Sequence, residues 1–335
     1  MQSDQTVIAR RDGRVGRILL NRPEALNALD LPMLRACTRA LDAWRDDPHV
    51  HAVVIEGAGG RALCAGGDIR VIRQHQIDGD RDAVEDFFRT EYALNLAIAT
   101  YPKPYIALID GICMGGGIGV SVHGTYRVVT EHAVLAMPET AIGFFPDIGA
   151  TFFLPRLPGE LGVYLALTGA RLQGADAVLG GLATHFTRRE KLAGLSQALA
   201  NDGPAALAQF AEPLPRFSLA PHRGTLDHCF GAETVAGISH RLESVGDDWS
   251  LGVAKTLRAM SPTALCCTLE AMHRGAELSL AQCLESELRL TRNMMRHPDF
   301  AEGVRAMVID KDRKPRWQPE TIEAVNPGEI AALFA

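Results

Sequence analysis

The sequence predicts an α/β fold with a mainly helical C-terminal region. Two observations predict it. Short apolar runs alternate with amphipathic stretches from Val15 to Thr130, the rhythm of strand, helix, strand. After about residue 160, strand-like runs become rare and helical spacing takes over. A chain of 335 residues, 47% hydrophobic and 22% charged, has the apolar content to bury a large core with a second domain or appendage.

Val15–Leu20 is a short apolar run and reads as a strand, broken by Asn21-Arg22-Pro23-Glu24. Asp30 is placed to cap a helix with Pro32 in its first turn. Leu34, Cys37, Leu41 and Trp44 carry that helix to Asp46-Asp47-Pro48. Ala52–Ile55 is a second buried strand and Gly57–Gly60 a loop. A polar, charged stretch runs to Asp82, and Ala83–Thr100 is a helix stopped by Pro102 and Pro104. Tyr105–Ile109 and Tyr126–Thr130 are strands, with a helix beginning over Ile118–His123 between them. Helical patterns then cover Leu161–Thr168, Gly174–Leu179, Leu192–Ala200 and Leu280–Met295, and in the last of these Glu285 and Arg289 are spaced to pair. Pro204, Pro213, Pro215 and Pro221 mark a linker, so the chain divides into residues 1–210 and 211–335.

Several function classes are disfavoured. With 34 basic and 40 acidic residues the net charge is −6, which gives no global pull toward nucleic acid or an anionic membrane. No apolar run approaches a membrane span. Met1–Gln5 has neither a basic nor an apolar leader region, so no secretory leader is expected. Seven scattered cysteines with no CxxC pair read as reduced core residues of a cytoplasmic protein, without a disulfide framework or metal site. His49 and His51 lack partner ligands at metal spacing, and His123 lies in an apolar stretch as a core histidine. Ser121 has no G-x-S-x-G context. The paired phenylalanines (Phe87-Phe88, Phe144-Phe145, Phe152-Phe153) read as core.

Two glycine-rich stretches remain, Ala65-Gly66-Gly67-Asp68 and Gly115-Gly116-Gly117-Ile118-Gly119. Glycine lets a backbone approach a ligand closely, and two such loops converging would make a pair of N–H donors for an oxyanion. Tight turns and close packing explain the same glycines. Neither run fits a dinucleotide fingerprint in its βαβ setting, and no P-loop occurs. The segment Ala136–Gly149 holds two acids, Glu139 and Asp147, eight residues apart, with only Thr140 polar between them. Acids in an apolar loop are desolvated, which raises their pKa and suits acid–base work. Capping of local turns is the competing reading, and the two stand even on these residues alone.

Asn21–Leu29, Cys64–Arg70 and Met114–Gly117 resemble the crotonase (enoyl-CoA hydratase/isomerase) superfamily. Gly119–Gly124, Met137–Gly143, Phe145-Pro146-Asp147 and the C-terminal runs Asp299–Ala306, Ile309–Asp312 and Pro315-Arg316-Trp317 are similar to its 3-hydroxyisobutyryl-CoA hydrolase branch. The resemblance spans nearly the whole chain. It implies a spiral of β-β-α turns, an acyl-CoA-binding catalytic core over 1–210, and a helical region over 211–335 that completes the site or the assembly. The Gly67 and Gly116 N–H groups are the implied oxyanion hole. Hydratases of the superfamily carry a second glutamate shortly after the glycine triplet, where this chain has Gly119.

The implied reaction is therefore hydrolysis of a short branched 3-hydroxyacyl-CoA thioester, as in valine catabolism. Glu139 is its nucleophile or general base. Asp147 binds the 3-hydroxyl or shuttles a proton, Glu91 contacts substrate, and Arg70 lies along the CoA path or in a surface salt bridge. The resemblance implies no metal or redox cofactor, an acyl-CoA substrate, neither nucleic acid nor membrane as partner, and leaves a homo-oligomer open. A one-acid enoyl-CoA isomerase, a hydratase, or a non-catalytic acyl-CoA-binding protein are the alternatives.

Overall fold

The computed structural model describes residues 5–335. Met1–Asp4, on which most of the leader reading rests, lie outside the described residues. The chain forms two compact units, each discontinuous in sequence. The first is built from the segment ending at Asp68 with Thr90–Ala136 and Leu172–Phe217. The second is built from Ile69–Arg89, Met137–Arg171 and Ser218–Ala335.

The first unit carries the strands: β1 (Val7–Asp12), β2 (Val15–Leu20), β3 (Ala52–Gly57), β4 (Ala62–Cys64), β5 (Tyr105–Ile109), β6 (Ile112–Met114), β7 (Tyr126–Val129), β8 (Val134–Ala136), β9 (Leu172–Gln173) and β10 (His185–Phe186). A larger sheet has the order β1-β2-β3-β5-β7-β10 and a smaller one β4-β6-β8-β9. Only β1–β2 in the larger sheet is antiparallel. The chain alternates between sheets, β3 then β4, β5 then β6, β7 then β8, and this repeat is the crotonase-like spiral. Parallel strands are covered on both faces and so read as continuous apolar runs. Accordingly β5 is buried along its whole length.

The core of this unit sets Val15, Val54, Ile106, Leu108 and Val128 of the larger sheet against Leu195, Leu199 and Leu207. The helix Leu31–Arg45 begins where the sequence places it, and Asp30 accepts the Met33 N–H at 2.9 Å. Its Trp44 ring lies flush on Gly16, where any side chain would collide with the indole.

Six strands escape the sequence reading. β1 is a charged edge strand exposed over Ala9–Arg11, β4, β6 and β8 are three residues each, and β9 and β10 are two each. Runs that short carry no period. The helix Ile69–Asp78 is also unexpected: it buries only Ile72 and exposes Val71 and Ile77, so its apolar stripe is faint.

The second unit is helical. Leu161–Thr168 is buried on every side. Val235–Val245, Asp248–Ala259, Pro262–Gly275 and Leu280–Met294 each start at a side-chain cap, from Thr234, Asp247, Ser261 and Ser279. Ser279 with Gln282 forms a reciprocal capping box. Glu285 and Arg289 pair at 3.1 Å as their spacing predicts. Ile69–Asp78 is tied to the C-terminal helices by Arg73, which donates to the Ala301 carbonyl, and Gln76, which donates to the Met295 carbonyl, both at 2.8 Å. All seven cysteines are unbonded thiols and six are buried.

Candidate active site

The first unit holds Gly67, Gly116 and Glu91. The loop Ala65–Asp68 leaves β4 and is laced to the Asn21–Leu29 segment. Leu29 N–H donates to the Gly66 carbonyl at 2.8 Å, Asp68 N–H to the Leu29 carbonyl at 2.8 Å, and Ala65 N–H to the Leu26 carbonyl at 3.0 Å. Asn27, fully buried at φ +58°, donates its amide to the carbonyls of Ala58 and Ala62 at 3.0 Å each. Arg22 pairs with Asp68 at 2.8 Å. The Asn21–Leu29 motif is thus the scaffold that fixes the loop. Gly66 sits at φ +116°, a conformation L side chains rarely adopt.

Gly116 opens the helix Gly116–Val122 just after β6. A Cβ there would strike the Glu91 carboxylate and stand 3.3 Å from Gly67 N. Gly67, Gly116 and the Glu91 carboxylate therefore meet at one point, and a side chain at position 116 would have to displace the Glu91 carboxylate. Glu91 is 2% exposed, so it is no ordinary charge on a helix face. Gly119 lies buried within the same short helix and presents no side chain.

The second unit holds Glu139, Asp147 and Arg70. Glu139 begins a 3₁₀ turn, Glu139–Ile142, which ends at Gly143 with φ +69°. The turn is anchored by Thr140, whose hydroxyl donates to the Leu167 carbonyl at 3.1 Å and whose carbonyl accepts from Ser261 N–H at 3.1 Å. Phe144 packs against Phe145 and Phe88 with tilted rings and against Phe300 edge-on, at centroid distances of 4.6, 5.6 and 5.7 Å, which keeps the loop apolar. Glu139 is 8% exposed and its Oε2 makes no hydrogen bond among the described residues. Burial, then the neighbouring Asp147 carboxylate, pushes its pKa well above the usual carboxylate range. Glu139 and Asp147 are thus electrostatically coupled, buried acids.

The C-terminal motif acts on the same loop. Gly143 lies against the Asp299 backbone and Gly303 against that of Ile142, so closely that no side chain fits at either glycine. Asp299 is fully buried, accepts from Ser261 Oγ at 2.6 Å and from Gln318 N–H at 2.9 Å, and holds both segments together.

Arg70 donates to the Val308 carbonyl at 3.3 Å on the protein surface. It is engaged with the π-helical turn Arg305–Ile309 and forms no salt bridge in that contact.

Sequence reasoning missed Glu287. It is 1% exposed and accepts from Gly149 N–H, Thr151 N–H and Thr151 Oγ, at 2.7, 3.1 and 2.6 Å. The signal was present: Glu287 falls on the buried stripe Cys283, Leu284, Leu290, Thr291, Met294 of its helix. An acid on an apolar stripe needs partners.

A family model described as enoyl-CoA hydratase/isomerase matches residues 15–334. The chain belongs to the enoyl-CoA hydratase/isomerase family. It is 46% identical to the mitochondrial 3-hydroxyisobutyryl-CoA hydrolase of Xenopus tropicalis, over 99% of this chain and 89% of that one. The Homo sapiens mitochondrial enzyme of the same name is 44% identical, over 98% and 88%. Among solved structures, a carnitinyl-CoA dehydratase from Mycobacterium thermoresistibile superposes with a TM-score of 0.95 at 41% identity, covering 99% of this chain and 97% of that one. An enoyl-CoA hydratase from Rhodobacter sphaeroides gives 0.93 at 41% identity with the same coverage.

The curated relatives correct one expectation. A cytoplasmic location was read from free thiols, yet these similar enzymes are named as mitochondrial. Free thiols mark a reducing compartment and do not single out the cytoplasm.

Proposed function

We propose that this chain hydrolyses the thioester of 3-hydroxyisobutyryl-CoA to 3-hydroxyisobutyrate and free CoA, a step of valine catabolism. The observation that carries the reading is the buried Glu139–Asp147 pair, together with Gly119 at the position where hydratases place a second glutamate. Addition of water to an enoyl-CoA by two acids lacks its second acid here. The curated relatives named as hydrolases support the same reading.

In this mechanism the Gly67 and Gly116 N–H groups stabilise the thioester oxyanion. Such a donor typically contributes about 10²–10³ in kcat. Glu139 attacks the carbonyl carbon as a nucleophile, giving a mixed anhydride that water opens, or takes a proton from an attacking water. In both routes the C–S bond breaks and CoA leaves as the thiol. Asp147 binds the 3-hydroxyl or shuttles the proton. Glu91, beside the glycine pair, contacts the substrate. An acyl-CoA ligand needs no further cofactor for this chemistry.

The similar structures named as a dehydratase and a hydratase favour a second reading, double-bond chemistry at the same site. A product assay separates the readings. Free CoA from 3-hydroxyisobutyryl-CoA supports hydrolysis. Interconversion of enoyl- and 3-hydroxyacyl-CoA, or a double-bond shift, without thiol release would replace it. Binding without turnover would leave a non-catalytic acyl-CoA-binding protein.

A further inference from the structure

Asp147 opens a turn of unusual geometry. Its carbonyl accepts the Ala150 N–H at 2.8 Å, closing residues 147–150. The two central residues, Ile148 and Gly149, lie at φ +57° and +84°. Positive φ at both positions is the pattern of a type I′ turn, which glycine, asparagine and aspartate favour. A β-branched isoleucine there is a genuine outlier and persists only where the surroundings over-determine it.

Those surroundings come from the Leu280–Met294 helix. Gly149 precedes the four-residue helix Ala150–Phe153 and has no side chain with which to cap it. Glu287 supplies the cap instead. One oxygen takes the Gly149 N–H, and the other takes both donors of Thr151. The Glu287 carboxylate is buried and committed to three donors on Gly149 and Thr151, shortly after the Ile148 outlier. No other described acceptor is shown for Gly149 N–H.

We infer that Glu287 is a positioning residue for the reaction: it locks the 147–150 turn in its left-handed conformation and so fixes the direction of the Asp147 carboxylate. This rests on the reading of Asp147 as a participant in thioester hydrolysis. Glu287 itself touches no reacting atom in this scheme. Its action passes through Gly149 and Thr151 to the turn.

The chemistry of the substitution is specific. Glu287→Gln keeps the size of the side chain and one carbonyl oxygen. Whichever way the amide lies, its N–H₂ group faces one of the two backbone donors, Gly149 N–H or Thr151 N–H, donor against donor. The segment then loses one of the two backbone bonds that follow Ile148. Thr151→Val removes one of the three bonds and leaves the acid and the backbone in place.

The test is a double-mutant cycle on CoA release from 3-hydroxyisobutyryl-CoA. Glu287→Gln is expected to lower kcat on the order of 10²-fold, the scale of an ångström misplacement, with KM moved less than about threefold. Thr151→Val is expected to show a smaller loss of the same kind. In an Asp147→Asn background both substitutions should have almost no further effect on kcat, because the group they aim is already gone. A merely structural role would lower thermal stability and leave kcat per folded molecule unchanged. Unchanged kcat, or full additivity with Asp147→Asn, would overturn the inference. If Glu287→Gln does not fold, the Thr151→Val arm decides by the same criteria.

A parent chain that releases no CoA would sink the hydrolase reading by itself. Crystal structures of the parent and of Glu287→Gln, or of Thr151→Val if needed, then decide the positioning role separately. A turn and Asp147 carboxylate displaced in the variant support it, and a superimposable turn overturns it.

Discussion

Glu287 and Gly149 are 138 residues apart in sequence, and the Gly149 N–H donates to Glu287 Oε2 over 2.7 Å. The contact joins the C-terminal helical region to the loop that carries Asp147. Asp299 does the same for the loop that carries Glu139, through Ser261 Oγ at 2.6 Å and through the close fit of Gly143. The two acids therefore sit on irregular backbone held from behind by buried carboxylates.

The first prediction concerns pH. Burial pushes Glu287 up to about 8, with the Asp147 charge adding, against the hydrogen bonds that favour its ionised form. Its folded-state pKa lies above its unfolded one, so its contribution to stability is present below pH 4.5 and is lost as pH rises toward 8. Glu139 and Asp299 shift in the same direction. His185, lowered by burial, opposes them only near and below its ordinary pKa. The acids with lowered pKa, Glu85, Glu131, Asp247, Glu302 and Asp312, act below the ordinary carboxylate pKa. Thermal denaturation from pH 7 to 8.5 should show a falling Tm, with a slope of up to about 1.4 kcal/mol per pH unit per group. A flat or rising Tm would contradict it.

Glu139→Gln should separate stability from activity. The carboxylate is buried, beside another acid, with one oxygen unbonded among the described residues. Removing its ionisation removes that cost, so at pH 8 the variant should melt at or above the parent's Tm. Its kcat should fall roughly 10²–10⁴-fold, the range for losing a general base, and further for a nucleophile. Loss of stability in step with activity would contradict a functional reason for this buried acid.

Gly116→Ala should collide with Glu91. The added Cβ meets the Glu91 carboxylate and stands 3.3 Å from Gly67 N, at the point where the oxyanion donors are proposed. Overpacking of this kind costs about 1–3 kcal/mol. The expected result is a kcat loss of roughly 10²-fold, comparable to losing one donor. Near-parental kcat in a folded variant would move the oxyanion site elsewhere.

Asp299→Ala should destabilise the chain and the Glu139 loop together. It strands the buried donors of Ser261 and Gln318, at about 1–3 kcal/mol for each unsatisfied group. Gly143→Ala adds a side chain at φ +69° against the Asp299 backbone and should be at least as damaging. Urea denaturation checks both: a lowered midpoint is expected, and an unchanged midpoint refutes the anchoring role.

Much of this was legible in the residues, for physical reasons. Asp30 with Pro32 predicts a helix start because a side-chain cap and an early proline both belong there, and the structure begins that helix at Leu31. Tyr105–Ile109 is a continuous apolar run because parallel strands bury both faces, Val15–Leu20 is largely apolar with Arg17 buried in ion pairs, and both appear with those bounds. Strands β4 and β6 left no trace because three residues carry no period. Gly116 drew attention as a glycine, but the carboxylate that crowds a side chain there comes from Glu91, 25 positions earlier. Glu287 went unnoticed because its donors lie 136–138 residues away, although its place on an apolar stripe marked it. Arg70 read as a CoA contact or salt bridge from its place after the glycine loop. In the structure it donates to the Val308 carbonyl, a contact 238 residues away that no local pattern signals.

The most direct test of the central claim is the rate of free-thiol release from 3-hydroxyisobutyryl-CoA by the parent chain and by Glu139→Gln. Steady CoA release by the parent, reduced at least roughly 10²-fold in a variant with an undiminished Tm, is the predicted result. Equal release by both proteins, or no release while an enoyl-CoA is hydrated or isomerised, would contradict it.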